Sequence, residues 1–215
     1  NHKLFFPTKK ELNILDLQNS KNYLNKIKPN YLIHLAGLSR PMKIHEAQIE
    51  KSIDLNIIGT SNITKLCFQL NIKLIYFSTN YVYPGSKGNY SEQDPLLPVN
   101  NYAWSKLGGE AAVQLYKNSL ILRVSMTEKP FVHKKAFANV KTNFMYHEDV
   151  LPILFKLLNK RGVINLGGKP QTIFNFVKTS NKSVKKIYLN KKQNIGMPFN
   201  SSMNLKKLKM ILKKN

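Results

Sequence analysis

The chain has 215 residues, of which 42% are hydrophobic and 10% aromatic, and this composition excludes an intrinsically disordered protein. Its 34 Lys and Arg against 11 Asp and Glu give a formal net charge of +23, which suits either nucleic-acid binding or a surface of scattered, solvated lysines. The single cysteine, Cys67, excludes an internal disulfide, and no apolar run is long enough to cross a bilayer.

The positive charge is not accompanied by a nucleic-acid-binding or metal-binding motif. The sequence holds no zinc-finger spacing, no RNA-binding aromatic signature and no clear helix-turn-helix, and its five His and one Cys lack metal-ligand spacing. We therefore expect no specific nucleic-acid partner and no metal. No secretion signal opens the chain, which predicts a cytoplasmic location without membrane association.

Up to residue 126 the chain alternates between predicted strands and predicted helices. Apolar runs predict strands at 3–6, 31–37, 72–79 and 119–125, and those at 31–37 and 72–79 are expected to be buried on both faces. Helical patterns predict helices at 19–28, at 44–71 and from Asn101, with Asn100 or Asn101 as the cap. This alternation predicts an α/β fold with a doubly wound parallel sheet.

After residue 126 the alternation weakens. The predicted elements are a helix at 147–161 with Pro152 in its first turn, a strand at 162–168, a short helix or strand at 172–180, a strand at 184–189 and an amphipathic helix at 201–214. We interpret residues 1–126 as one domain. Residues 127–215 are predicted to form a smaller lobe over the mouth of the sheet, with some elements that complete the sheet.

A tyrosine and a lysine four residues apart share one face of a helix. The sequence contains this spacing at Tyr83 and Lys87, at Tyr102 and Lys106, and at Tyr188 and Lys192. Only the second pair lies in a predicted helix, because Pro84 and Gly85 follow Tyr83 and a predicted turn follows Tyr188.

Thr79 is predicted to lie at the carboxyl end of a buried strand, where ligands of open parallel sheets bind. A carbonyl that gains a hydride needs a polarising hydrogen bond and a proton donor. The Thr79 hydroxyl can supply the first and the Tyr102 phenol the second, if a cation such as Lys106 stabilises the phenolate. These residues predict the proton-donating half of a reductase whose cofactor supplies the hydride.

Six segments, in chain order, resemble the extended short-chain dehydrogenase/reductase superfamily and, within it, the dTDP-4-dehydrorhamnose reductases. They are LNILDL (12–17), KPNYLIHLAGLSRP (28–41), SIDLNIIGTSNI (52–63), LIYFSTNYVYPG (74–85), YSEQDPLLPVNNYAWSKLGGE (90–110) and MPFNSSMNLKKL (197–208). The resemblance covers most of residues 4–125 and is patchier afterward. It implies a Rossmann-like sheet, NADP or NAD as cofactor, and reduction of a 4-keto nucleotide sugar for surface-polysaccharide precursors.

The resemblance also implies a role for each matching residue. Tyr102 is the implied proton donor, Lys106 lowers its pKa and holds the nicotinamide ribose, and Thr79 hydrogen-bonds the substrate carbonyl. The remaining implied cofactor-binding residues are Asp16 and Leu17 at the adenine, Leu35, Ala36 and Gly37 along the cofactor, Asn56 behind that turn, and Arg123 at the nicotinamide end.

The sequence departs from the family pattern at several places. A first strand with its glycine-rich, pyrophosphate-binding turn is missing, so residues 3–6 resemble the second strand, followed by Lys9 or Lys10 near an NADP 2′-phosphate. Either the sequence is a fragment, which its Asn1 start favours, or the lineage has lost cofactor binding. Asn80 replaces a family Asp, and Met197 replaces an Arg before Pro198.

Other functions stay open at this point. One alternative is a nucleotide-sugar epimerase of the same superfamily; a dehydratase is disfavoured because Asn80 is not acidic. Another is a non-catalytic subunit that resembles the regulatory subunit of methionine adenosyltransferase. Nucleic-acid binding rests on charge alone. A homodimer is one option for the assembly.

Overall fold

The computed structural model describes residues 2–190 and 196–213. Its strands are, in chain order, β1 (Tyr31–His34), β2 (Lys73–Thr79), β3 (Ser119–Val124), β4 (Met126–Thr127), β5 (Lys135–Phe137), β6 (Lys141–Thr142), β7 (Met145–Tyr146), β8 (Gly162–Leu166), β9 (Gln171–Thr172) and β10 (Lys185–Ile187). Its helices are α1 (Leu17–Ile27), α2 (Ile44–Ala47), α3 (Ile49–Ser52), α4 (Gly59–Gln69), α5 (Asn101–Gln114), α6 (His147–Leu157), α7 (Ile173–Lys178) and α8 (Lys206–Lys213).

Four parallel strands form the central sheet in the order β1-β2-β3-β8. The register pairs Ser78 with Arg123 and Thr79 with Val124, so β2 and β3 end side by side. Both strands are buried along their whole length, as parallel strands covered on two faces should be. The predicted α/β fold with a parallel sheet is therefore confirmed.

Two apolar cores lie on opposite faces of the sheet, because successive side chains of a strand point to opposite sides. The first packs α1, α4 and α5 against the sheet and contains Leu24, Ile63, Leu66, Cys67, Leu74, Tyr76, Val113 and Ile121. The second contains Ile75, Leu122, Leu154, Leu157, Ile164 and Leu208, and covers the other face with α6 and α8. Burial in the first core raises the pKa of the Cys67 thiol to about 12.

β1 lies at the edge of the central sheet, and the prediction that it is buried on both faces was wrong. Tyr31 and Leu32 are half-buried and Ile33 is 37% exposed, whereas Ile75, the register partner of Ile33, is fully buried. β1 pairs with β2 on one side only. Its apolar sequence resembles that of an internal strand, but its position exposes it.

Residues 3–6 form no strand, which corrects another prediction. They are exposed, Phe6 by 85%, and they pair with no strand of the described sheet. Residues 8–11 form a turn in which the Glu11 carboxylate accepts hydrogen bonds from the Thr8 backbone and hydroxyl (2.7 and 2.8 Å). The suggested place of Lys9 or Lys10 directly after a second strand is therefore not realised.

The helix predicted at 44–71 is interrupted. α2 and α3 are single short turns, and a π-helical turn at Ile53–Ile58 joins α3 to α4. Such turns are often found at functional sites, and this one carries the buried Asn56. α4 begins at Gly59, where a Cβ would lie 2.6 Å from Ile14 Cδ1, so a larger residue there would push the Ile14 side chain aside.

Beyond residue 126 the elements divide between two places. β8, α6 and α8 belong to the central sheet and its covering layer, whereas β5, β10 and α7 share a separate small core. Pro152 is the sixth residue of α6, not part of its first turn as predicted. The closing helix begins only at Lys206, and residue 214 of the predicted helix lies outside the described residues. No helix in the described ranges is long and apolar enough to span a membrane.

Candidate active site

The candidate active site lies where β2 ends beside the first turn of α5. Thr79 is the last residue of β2, and its Oγ1 accepts a hydrogen bond from the Tyr81 backbone N–H (3.2 Å). Asn100 caps α5 by accepting a hydrogen bond from the Ala103 N–H (2.8 Å). The helix therefore begins at the predicted place, with Tyr102 and Lys106 one turn apart.

The Thr79 hydroxyl lies beside the Tyr102 phenol, where it favours the phenolate form. The Tyr102 ring contacts two further rings, that of His45 with centroids 5.1 Å apart and that of Tyr81 at 6.5 Å. Burial raises the pKa of Tyr102, while the neighbouring Thr79 hydroxyl and the charge of Arg40 oppose this shift. Tyr102 is therefore protonated at neutral pH, as a proton donor must be.

Lys106 lies in the next turn of α5, with its ammonium 4.2 Å from the centroid of the Tyr76 ring. The Tyr76 hydroxyl donates a hydrogen bond to the Lys106 carbonyl (3.0 Å). Burial lowers the pKa of Lys106 to about 7, against the opposing charge of Glu110. An anion or hydroxyl acceptor beside Lys106 would favour its charged form.

Arg40 is the site residue that sequence reasoning missed. The charge of Arg40 opposes the rise in the pKa of Tyr102, whereas the expected effect of Lys106 on this pKa stays a prediction. Arg40 also forms an ion pair with Glu128, which lowers the pKa of that carboxyl to about 2. The pair joins the loop after β1 to the segment after β4. No signal in the loop sequence indicated this contact.

Asn56 fixes the turn that follows β1. Its Oδ1 accepts a hydrogen bond from the Leu38 N–H (2.7 Å), and its Nδ2 donates to the Leu38 carbonyl (2.9 Å) and to Ser105 Oγ (2.8 Å). A Cβ on Gly37 would lie 2.7 Å from the Asn56 Oδ1, so the turn requires glycine. Leu35, Ala36 and Gly37 are exposed at this turn. The structure thus links the turn, the π-helical segment and α5.

The remaining predicted site residues make contacts with their own parts of the fold. Asp16 caps α1 by accepting a hydrogen bond from the Asn19 N–H (2.9 Å), and Leu17 begins that helix. Arg123 is only 2% exposed; its guanidinium donates to both Glu110 carboxylate oxygens (2.5 and 3.4 Å) and to the Tyr83 hydroxyl (2.9 Å). The Arg123 side chain therefore fastens β3 to α5, and its expected place at the nicotinamide end stays a prediction.

The other two tyrosine–lysine spacings do not form comparable pairs. Tyr83 is buried and donates a hydrogen bond to the Asn165 Oδ1 (2.8 Å), while Lys87 forms an ion pair with Asp94 (2.6 Å). Tyr188 is 69% exposed, and Lys192 lies outside the described residues. Within the described ranges, no group of three or more His, Cys, Asp or Glu is placed to hold a metal ion.

An open parallel sheet with a hydroxyl at a strand end, followed by a helix that carries a tyrosine–lysine pair, defines a Rossmann-like protein of the short-chain dehydrogenase/reductase type. The model of the RmlD substrate binding domain family matches residues 1–150. The chain belongs to this family.

Solved structures share the fold. A dTDP-4-dehydrorhamnose reductase from Bacillus anthracis str. Ames, in complex with NADP, superposes with a TM-score of 0.84 at 22% identity, over 94% of this chain and 81% of that chain. MoeE5 in complex with UDP-glucose and NAD gives a TM-score of 0.71 at 19% identity, over 94% and 76% of the two chains. At these identities the likeness shows the fold alone.

Curated relatives match about half of the chain. Methionine adenosyltransferase 2 subunit beta of Xenopus laevis is 37% identical over 114 residues, which are 53% of this chain and 34% of the relative. The spore coat polysaccharide biosynthesis protein SpsK of Bacillus subtilis (strain 168) is 31% identical over 121 residues, which are 55% and 42% of the two. The match thus spans a third to two-fifths of these relatives.

Proposed function

We propose that this protein reduces the keto group of a 4-keto nucleotide sugar with NADPH or NADH, for the synthesis of surface-polysaccharide precursors. The observation that carries the proposal is the place of the Thr79 hydroxyl beside the Tyr102 phenol at the end of β2, with Lys106 one turn further along α5. The names of two relatives support it, since one is a dTDP-4-dehydrorhamnose reductase and another a polysaccharide biosynthesis protein.

Thr79 and Tyr102 have different roles at the substrate carbonyl. Thr79 donates a hydrogen bond to the carbonyl oxygen, which polarises the bond, and Tyr102 transfers its proton to that oxygen as negative charge develops. Arg40 stabilises the phenolate that Tyr102 becomes, because its positive charge already favours this form. When bound, the cofactor supplies the hydride.

The residues present fit a nicotinamide cofactor. The turn after β1 is exposed and demands glycine at Gly37, as a backbone that closely approaches a ligand would. We propose that Leu35 to Gly37 line the cofactor, with Asp16 and Leu17 toward the adenine and Lys106 at the ribose. Residues 1–126 would then bind the cofactor and residues 127–215 the substrate.

Replacing Tyr102 with Phe tests the proposal. Tyr102→Phe removes the proton donor, so turnover of a dTDP-4-keto-6-deoxy sugar should fall by about 10²–10⁴-fold, while the NADPH dissociation constant changes little. NADPH oxidation at 340 nm and cofactor fluorescence measure the two quantities. The matched control is Tyr188→Phe, an exposed tyrosine of the same spacing, which should retain full activity. Undiminished turnover in Tyr102→Phe would refute the assignment.

A second candidate function is that of a binding subunit. It is favoured by the 37% identity with a protein named as a subunit of methionine adenosyltransferase 2. In that case the purified protein would oxidise neither NADPH nor NADH with any 4-keto nucleotide sugar. It would instead co-elute with the catalytic subunit of a methionine adenosyltransferase in gel filtration, whereas a reductase would elute alone.

A further inference from the structure

His45 lies beside Tyr102 and has no part in the chemistry described above. It is fully buried in α2, and its Nδ1 lies 2.8 Å from the Ser52 Oγ. Its Nε2 is buried and has no hydrogen-bond partner in the described structure. A buried, unpaired nitrogen lowers stability, and an apolar side chain of similar shape would avoid this cost. Folding alone therefore does not explain an imidazole here.

His45 and the next residue, Glu46, both contact the start of α5. The His45 ring meets the Tyr102 ring with centroids 5.1 Å apart and planes inclined by 60°. The Glu46 carboxylate accepts hydrogen bonds from the side chain (2.6 Å) and backbone N–H (3.4 Å) of Asn101. Two consecutive residues of α2 thus hold two consecutive residues at the start of α5.

The Tyr102 ring has a second aromatic neighbour, Tyr81, which it meets edge to face with centroids 6.5 Å apart. A tyrosine ring held by two aromatic contacts keeps its hydroxyl in a narrow range of positions. In the proposed reaction the hydroxyl must remain beside Thr79, because both hydroxyls donate to the same substrate oxygen and small displacements of a reacting group are costly in rate.

We propose that His45 is a positioning residue that holds the Tyr102 ring so that its hydroxyl stays beside Thr79. Ser52 orients the imidazole, and the hydrogen bonds of Glu46 keep α2 against the start of α5. The catalytic consequence rests on the proposed reductase function, whereas the restraint on the ring does not.

NMR of the full-length protein with ¹³C-labelled tyrosine rings tests the restraint directly, with the Tyr102 signals assigned by their loss in Tyr102→Phe. In His45→Leu, the Tyr102 ring should flip faster, and its broadened or separate signals should merge and sharpen. Turnover should fall by about 10-fold while KM for NADPH stays within about twofold, because positioning acts on the chemical step. His45→Phe keeps a ring at this place and should restore both.

Two further variants sharpen the test. Ser52→Ala frees the imidazole and should shift the Tyr102 signals in the same direction as His45→Leu, but less. His147→Leu changes an exposed histidine on α6 and should leave the Tyr102 signals and turnover as in the wild type.

The outcomes separate the two proposals. Unchanged Tyr102 ring motion in a folded His45→Leu, or no rescue by His45→Phe, would overturn the inference. A marked fall in the melting temperature of His45→Leu would also overturn it, since that would indicate a structural role. If the ring is freed but the wild-type protein reduces no 4-keto sugar, His45 still restrains Tyr102 and only the proposed function fails.

Discussion

At the scale of single residues, the surroundings of Asn80 match an amide better than the Asp found in the resembling reductases. Its Nδ2 donates to the Ser201 carbonyl (3.2 Å), the Ser201 hydroxyl (2.8 Å) and the Thr142 hydroxyl (3.1 Å). Hydroxyls can turn to donate to a carboxylate, but a carbonyl oxygen cannot. The Ser201 carbonyl therefore disfavours an ionised side chain at position 80, directly after Thr79.

Asn80→Asp should accordingly destabilise the protein by about 1–3 kcal/mol at pH 8. Burial and the facing carbonyl raise the pKa of the new carboxyl in the folded state above its unfolded value of about 3.9. The destabilisation should therefore shrink as the pH falls through the raised pKa, because the protonated acid can donate to the carbonyl. Urea unfolding at pH 8 and pH 5 measures the effect.

Asn80→Ala is the control for this prediction, because it loses the hydrogen bonds without introducing a titratable group. Its destabilisation should be equal at both pH values. An Asp variant with the same pH-independent behaviour would contradict the interpretation of the Asn80 site.

Lys106 should make the stability of the protein depend on pH. Burial lowers its pKa to about 7 from an ordinary value of 10.5. Between these values the unfolded chain binds a proton that the folded protein does not, so the free energy of unfolding rises as pH increases across this interval. The rise in melting temperature between pH 7 and pH 9 should be smaller in Lys106→Met than in the wild type.

The matched control is Lys209→Met, which removes an equal charge from an exposed position on α8. Lys209→Met should keep the full rise in melting temperature between pH 7 and pH 9. Burial lowers the pKa of Lys73 to about 8, and this residue contributes in the same direction in all three proteins. An equal reduction in both variants would assign the pH dependence to net charge instead.

At the scale of elements, β1 and β2 should respond differently to the same substitution. Ile33 and Ile75 are register partners, but Ile33 is 37% exposed and Ile75 fully buried. Ile75→Ala should cost about 2–5 kcal/mol in unfolding free energy, because it leaves a cavity in a closed core. Ile33→Ala should cost about 1 kcal/mol or less, since less apolar area is lost from the interior. Equal costs in urea unfolding would show that the edge of β1 is covered in solution.

The elements that were predicted correctly are recognisable from residues within or next to the element itself. β2 and β3 are continuous apolar runs, and α5 has an asparagine cap at its start. The exposure of β1 was not predictable, because an edge position depends on which strands lie beside it. The same is true of residues 3–6, whose apolar composition suits a strand that no neighbour completes. The π-helical turn was hidden within a regular apolar pattern.

The candidate site was predictable in so far as it follows from helix period and strand ends. Thr79, Tyr102 and Lys106 obey these two rules. Arg40 does not, because it lies in a loop and its ion pair with Glu128 joins residues 88 positions apart. The buried ion pair of Arg123 was missed for a related reason, since strand-end position alone does not tell whether a side chain faces a ligand or a neighbouring helix.

At the scale of the whole molecule, ion pairs contribute little to the free energy of unfolding. The described residues contain three ion pairs, and one of these is buried, between Arg123 and Glu110. Exposed pairs typically add about 0–1 kcal/mol each. The stability of the molecule therefore comes mainly from the two apolar cores on either face of the central sheet, and a probe placed in one of them should report on its opening.

Cys67 is such a probe. It is the single thiol of the chain and is fully buried in the core between α4 and the sheet, where its pKa is raised to about 12. A thiol in this state reacts with a disulfide reagent only while the core is open. Labelling by excess reagent should therefore be slow in the native protein and accelerate with urea, and Ile75→Ala should speed it far more than Ile33→Ala. Rapid labelling insensitive to urea would reveal local opening at α4. The labelling rate of Cys67 therefore reports on the opening of this core without an engineered cysteine.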